Sequence, residues 1–453
     1  MSIPVQTVGE ATAHGRLAGR RAAAILFSHC PSDPRPWRAA TALASAGMTV
    51  EVLCLQDDSA TPRQETIDGV KVFRVPVQKR RSGKVRYLFE YTSFLLVAAG
   101  FLSYRRLRYG YDLIHVHNMP DFLIFAALVP RILGTKVILD MHDPMPELHE
   151  SIAGHKDPRW LGELLKRIER LSLRFADLVL TPNAAFRELF LSRSCSPGKL
   201  HIIMNSPEEE IYHPNAFPGQ SQPKGDVRRP FKLLYHGSLV ERNGLDIAIE
   251  AVALARPYIA NVTLLICGKR TKYLDASLAL AKQKGLGDRV CYLGPQSREG
   301  IARCIASSDL GLIPNRRSKF TELNMPTRIF ECLAMGKPVI APNTRGIRDY
   351  FGPGELLFFE LGNVEDLARK IQWLFHHPAE VDRIVERGRR IYQQHLWSSE
   401  KACYLSLVEF MVNRNCGAQP RQSPGASLET KGHGEQREWP PEPNEASVPP
   451  IEK

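Results

Sequence analysis

Pro326-Thr327-Arg328-Ile329-Phe330-Glu331 places a hydroxyl, a guanidinium and a carboxylate at the start of one apolar-periodic run. Thr327 stands where a helix is predicted to begin and can cap it. A helix start offers free N–H groups and a partial positive charge, which suits a diphosphate. Arg328 adds a forked phosphate donor. Glu331 lies one turn further in, where ribose hydroxyls can donate to it. Together they describe a metal-free clamp for a nucleoside diphosphate. An N-cap followed by a capping-box-like acid would look the same locally.

Two more segments carry suitable chemistry. Tyr235-His236-Gly237-Ser238-Leu239-Val240-Glu241-Arg242-Asn243-Gly244 follows a predicted strand. Gly237 lets backbone approach a ligand, Gly244 permits an unusual turn, and Arg242 can reach a leaving diphosphate. An ordinary strand–loop–helix turn with an exposed arginine is the alternative. Leu139-Asp140-Met141-His142-Asp143-Pro144 ends another strand. There His142 and Asp143 can bond sugar hydroxyls or assist proton transfer, or form a plain polar loop. His115 and His117 occupy alternate positions of one strand and read more readily as core residues than as ligands. Gly268-Lys269-Arg270 can touch phosphate or base, or make a basic turn. No GxxxxGK[ST], GxGxxG after a strand, or GxSxG is present, which argues against a P-loop, a dinucleotide fingerprint or a nucleophile elbow.

These residues need strands that end beside them. AAAILFS, TVEVLCL, VKVFRVPV, DLIHVH, KVILDMHD and DLVLTPN read as strands between helical runs, which implies a parallel sheet. The alternation restarts after the Pro- and Gly-rich stretch His213–Pro230, with FKLLYHG, VTLLICG, VCYLG, DLGLIP and KPVIAP as strands. The expected organisation is a flexible 1–20, a Rossmann-like domain 21–212, a linker 213–230 and a second Rossmann-like domain 231–396. A helix at 397–413 and a disordered tail at 414–453 follow. At 453 residues, two domains are expected, with a ligand cleft at the carboxyl ends of the strands. Nine scattered cysteines without a CxxC pair argue against zinc and disulfides, and favour reduced thiols in the cytoplasm. No apolar leader precedes the first strand, so no secretory signal is expected.

The net charge of +12 suits phosphorylated small molecules, anionic lipid or nucleic acid. Nucleic acid lacks a recognised module here and is not expected. Tyr87–Tyr104 is apolar but short and contains Glu90, so a buried or interfacial helix is expected rather than a span. Its flanks are basic: Lys79, Arg80, Arg81, Lys84 and Arg86 before it, and Arg105, Arg106 and Arg108 after it. That pattern suits an anionic membrane surface or a solvated charged face.

In order, DPRPWRAATALASAGMTVEVLCL, YDLIHVHNMPD, VILDMHDPMPE, YHGSLVERNGLDIAIEA, SSDLGLIP and PTRIFECLAMGKPVIAP resemble the GT-B glycosyltransferases of the glycogen-synthase-like group. The resemblance covers roughly residues 20–412. It implies an α/β, GT-B fold of two Rossmann-like, doubly wound parallel-sheet domains. It also implies a retaining, metal-independent transfer from a nucleotide-diphosphate sugar, with no cofactor. The first domain is then the acceptor side and the second the donor side, and the last helix returns to the first domain. By the same resemblance, Glu331 holds ribose, His142 contacts the donor sugar, and the diphosphate lies on Thr327 and the Gly237–Gly244 loop. Gly237, Ser238, Asn243 and Gly268 are donor-side candidates on this basis. Ser238 and Asn243 replace an Arg and a Lys of many relatives, which points to Arg242 and Arg328 as the cations. Counting back from Glu331, a second glutamate of many relatives would fall on Leu323. Glu322 is one position off and is a further candidate. The helix start resembles a Pro-Thr-Lys-x-x-Glu subgroup, with Arg328 for Lys.

The mechanism this implies lets Arg242, Arg328 and helix-start amides neutralise the departing diphosphate while the sugar gains oxocarbenium character. The acceptor is expected to be a glycan or a lipid-linked molecule. The place is expected to be the cytoplasm, with peripheral attachment at the inner face of the cytoplasmic membrane. Two other readings share the donor clamp: a GT-B nucleotide-sugar epimerase, and a nucleotide-sugar-binding protein without catalysis.

Overall fold

The computed structural model describes residues 17–58, 60–77, 84–153, 158–217 and 229–413. The whole tail 414–453, part of the 213–230 stretch and most of 1–20 therefore lie outside the described residues, as do Lys79, Arg80 and Arg81. The chain forms two compact units. The first holds the chain up to Pro182, Phe186–Ile203 and the last helix from Glu400; the second holds Asn183–Ala185 and Met204–Ser399.

The first unit runs β1 (Arg21–His29), α1 (Pro34–Ser45), β2 (Thr49–Leu55), β3 (Gln64–Ile67), β4 (Val70–Val75), α2 (Lys84–Tyr109) and β5 (Leu113–His117). It continues through α3 (Leu128–Ile132), β6 (Lys136–Asp140), α4 (Met145–Ala153), α5 (Arg159–Phe175), β7 (Leu178–Thr181), α6 (Ala184–Arg193) and β8 (Leu200–Ile202). The sheet order is β3-β4-β2-β1-β5-β6-β7-β8, parallel except at β3. β1, β2 and β5 are apolar runs buried along nearly their whole length, as a sheet covered on both faces requires. Pro34 and Pro36 fit the first turn of α1, where no N–H is needed, and Gly47 closes it at φ +93°. The helix expected near Phe122–Ile132 is instead a 3-10 segment, Asp121–Ala127, running into α3.

The second unit runs β9 (Phe231–His236), α7 (Leu245–Ala255), β10 (Val262–Cys267), α8 (Lys272–Gln283), β11 (Val290–Gly294), α9 (Arg298–Ser307), β12 (Leu310–Leu312) and α10 (Lys319–Leu323). Then come α11 (Thr327–Ala334), β13 (Val339–Pro342), α12 (Arg345–Arg348), β14 (Leu357–Phe359), α13 (Val364–His376) and α14 (Pro378–Gln393), followed by α15 (Trp397–Val412), which from Glu400 onward belongs to the first unit. Its parallel sheet has the order β11-β10-β9-β12-β13-β14. Leu233, Tyr235, Ile249, Leu264, Ile266 and Ile371 form its core. Burial of each such side chain contributes about 1.5–3 kcal/mol.

Both sheets reverse their winding at an inner strand. β1 lies between β2 and β5, and β9 lies between β10 and β12. Ligands of open α/β sheets bind beyond the carboxyl ends of such strands. His117, Asp140, His236 and the loop after it stand there.

Candidate functional site

In the second unit, β9 ends at His236 and turns at Gly237 (φ +114°). Gly237 donates its N–H to the Cys267 carbonyl at 3.0 Å, which ties the loop to the end of β10. Gly268 follows there, and a Cβ on it would come within 2.3 Å of the Gly237 carbonyl oxygen. Gly244 takes the left-handed conformation at φ +66°, and a Cβ would meet the Pro314 oxygen at 1.8 Å. These two glycines let three strand ends converge.

α11 begins against this loop. Arg328 donates from Nη1 to the His236 carbonyl at 2.9 Å, and its guanidinium lies 5.4 Å from the Tyr235 ring centre. Glu331 Oε2 sits 2.7 Å from His236 Nε2, with His236 only 4% exposed. Gly237, Arg328 and Glu331 are therefore brought together, and Gly268 abuts Gly237. His236 joins them by fixing the carboxylate. Among the described residues Glu331 Oε1 makes no hydrogen bond, so one oxygen remains for a ligand.

Thr327 does not cap α11. Pro326 is the N-cap residue, no side chain caps it, and Thr327 is already the first helical residue. Its Oγ1 instead accepts from Asn205 Nδ2 at 2.8 Å. A proline at the cap leaves the first amides of α11 without a local side-chain acceptor, which keeps the helix start suited to an anion.

The remaining candidates make other contacts. Ser238 is exposed, and its carbonyl accepts from Asn243 Nδ2 at 2.8 Å, so these two residues staple the loop. Arg242 lies 5.7 Å from the Phe320 ring centre, and its carbonyl accepts from the Arg316 N–H. Glu322 accepts from the Arg345 N–H at 3.1 Å and so satisfies the start of α12.

The first unit has its own cluster at the ends of β5 and β6. Asp140, 2% exposed, accepts from Arg35 Nη2 at 2.7 Å and Nε at 2.9 Å. His117 Nδ1 and His142 Nε2 each lie 3.3 Å from Asp140 Oδ2 and 3.1 Å from one another. His115 Nδ1 pairs with the Tyr404 hydroxyl at 2.9 Å. Burial pushes Asp140 upward, but the Arg35 guanidinium and then His142 outweigh it and hold the carboxyl well below its usual range. Burial lowers His115 strongly and also lowers His117, so both are neutral imidazoles. His142 is at the rim. Its N–H is held by Asn118 Oδ1 at 2.8 Å, and its Nε2 faces inward. Nδ1 is then the ring nitrogen not committed to the cluster. The Asp143 carbonyl accepts from Asn118 Nδ2 at 2.8 Å.

His115, His117 and Asp140 offer three ligand atoms within 4.8 Å of one another. Arg35, however, already takes both oxygens of Asp140 and puts a fixed positive charge there. The donor set suits a hydrogen-bonded cluster better than a cation.

Asp140, Arg35, Asn118, Tyr404, His236 and Asn205 are the participants that spacing alone does not expose. Asp140 and His236 had one usable signal: each is the last residue of a strand, Asp140 two positions before His142 and His236 next to Gly237.

Residues 33–206 match the Glycosyl transferase 4-like domain, and residues 219–391 match Glycosyl transferases group 1. EpsD of Bacillus subtilis is 26% identical over 302 residues, 63% of this chain and 74% of that protein. The D-inositol 3-phosphate glycosyltransferase of Rhodococcus jostii is 23% identical over 399 residues, 85% of this chain and 86% of that one. Among solved structures, HepE of Anabaena in complex with UDP-glucose superposes with a TM-score of 0.63 at 18% identity. That match covers 87% of this chain and 98% of HepE.

Proposed function

The chain belongs to the GT-B glycosyltransferases, with a glycosyl transferase 4-like first half and a group 1 second half, and from that premise we propose that it moves a sugar from a nucleoside-diphosphate donor to an acceptor hydroxyl with retention. The convergence of Gly237, Arg328, Glu331 and His236 on one strand end carries this reading. Glu331, fixed by His236, offers its second oxygen to ribose hydroxyls. Arg328 and the uncapped start of α11 face the diphosphate, and Arg242 adds charge from the neighbouring loop. Their fixed positive charge stabilises the leaving diphosphate as the glycosidic bond breaks, without need of a metal. The fold shared with HepE, solved with UDP-glucose, supports a nucleotide sugar as donor.

His142 is proposed to bond hydroxyls of the transferred sugar. Asp140 and His117 orient its ring, and Asn118 fixes its backbone. Such positioning limits the geometric freedom of the reacting groups. A glycan or lipid-linked acceptor in polysaccharide or glycolipid assembly fits the basic composition.

The test is a screen of UDP-, GDP-, ADP- and dTDP-sugars for nucleotide release, with and without a lipid-diphosphate acceptor. At least one donor should be turned over, and the product should keep the donor's anomeric configuration. Arg242→Ala and His142→Ala should lose about a hundredfold or more in turnover while unfolding normally. Unchanged turnover in either variant removes that residue from the mechanism.

A further inference from the structure

Sixteen large hydrophobic side chains are exposed among the described residues, and fourteen of them lie between Phe89 and Leu171. On α2, Phe89, Leu96 and Leu107 are separated by nearly whole numbers of turns and so share one stripe. On α3, Leu128 and Ile132 are outward, Ile132 at 76%. On α5, Trp160, Leu164 and Leu171 repeat the pattern, Trp160 at 65%. The three helices adjoin. α2 packs on the 3-10 segment through Tyr91 and Phe122, and α5 packs on it through Phe125 and Phe175. Arg131 of α3 lies 4.7 Å from the Phe175 ring centre. A cluster this rich in outward apolar groups marks an interaction site rather than ordinary surface.

Its charge selects the partner. Arg159, Arg167, Arg170 and Arg174 on α5 and Arg108 on α2 are exposed. The exposed acid on α5, Glu163, is paired with Lys166, while Glu169 of α5 and Glu90 of α2 are buried. A second copy seated face to face would set like charges against one another, because a two-fold interface puts one patch on itself. An anionic bilayer meets both features. Apolar side chains enter the headgroup boundary, arginines pair with lipid phosphates, and Trp160 and Tyr104 suit the interface. No helix among the described residues is long and apolar enough to cross a membrane, so the fit is to lying on the surface.

We propose that α2, α3 and α5 form a face that docks the first unit on an anionic phospholipid bilayer. Vesicle binding reads neither nucleotide nor sugar, so this claim and the donor assignment fail separately. The full chain is sedimented with phosphatidylcholine vesicles, with or without phosphatidylglycerol. Wild type should bind the anionic vesicles at low salt and release them as salt rises. The triple variant Ile132→Ser, Trp160→Ser, Leu171→Ser changes exposed positions only and should unfold like wild type. Its partitioning should fall about tenfold or more. Wild type left in solution with anionic vesicles at low salt, or a triple variant that binds equally well, would overturn the proposal. A wild-type dimer that the triple variant converts to monomer, without vesicle binding, would assign the face to a second copy instead.

Discussion

Asp121 is fully buried beside Asn118, which donates to it at 3.0 Å, and burial pushes its carboxyl up to about 7. The folded protein therefore keeps a proton that the unfolded chain releases above 3.8. This contribution to stability is full below that value and is lost as pH climbs to about 7. The lowered His115 and His117 act in the opposite sense: stability is lost as pH falls below their ordinary 6.5. Asp121→Asn keeps an acceptor for Asn118 and removes the titration. It should raise the unfolding midpoint more at pH 8 than at pH 5, where only part of the contribution has been lost; equal shifts at both pH values would show that Asp121 is not the titrating group. At this scale the sequence exposes Arg328, Glu331 and His142, because type and local spacing mark them. It does not expose Arg35 on Asp140 or Asn205 on Thr327, since those partners come from distant parts of the chain.

The elements are more legible than the contacts between them. Apolar runs of β1, β5, β9 and β10 announce buried parallel strands, and the Ala/Leu spacing of α1 with Gly47 announces its end. The hairpin strand β3 is short, polar and partly exposed, so its pattern carries little. α14 is highly charged, yet Val381, Ile384, Val385 and Tyr392 are buried at helical spacing, and Pro378 opens it. The cap of α11 shows the limit of such reading. Thr and Pro at adjacent positions both fit a helix start, and here proline takes the outer one. At element scale, the packing of β9 against β10 depends on Gly268. Gly268→Ala would force the Gly237 carbonyl away, costing about 1–3 kcal/mol of stability. Donor affinity should fall with it. An unfolding midpoint and a donor affinity both equal to wild type would mean the loop has another rest position.

Across the whole molecule, two parallel sheets each reverse at an inner strand, and each gathers polar side chains beyond it. The first unit supplies the neutral His115 and His117, with His142 at the rim, around an ionised aspartate. The second supplies fixed cations, a helix start and a held carboxylate. On the proposed docking, the apolar, basic helices of the first unit would add a surface for lipid, where an acceptor in the membrane would be met.

The central claim is that Arg328, Glu331 and the start of α11 hold a nucleoside diphosphate. Titration calorimetry of the full chain with UDP, GDP, ADP and dTDP, repeated on Arg328→Ala, tests it most directly. Wild type should bind at least one of them. The variant, with equal thermal stability, should bind that nucleotide about tenfold or more weakly, the loss of one charge-assisted hydrogen bond. Binding of the same strength in both proteins, or no binding of any of the four to wild type, would contradict the account.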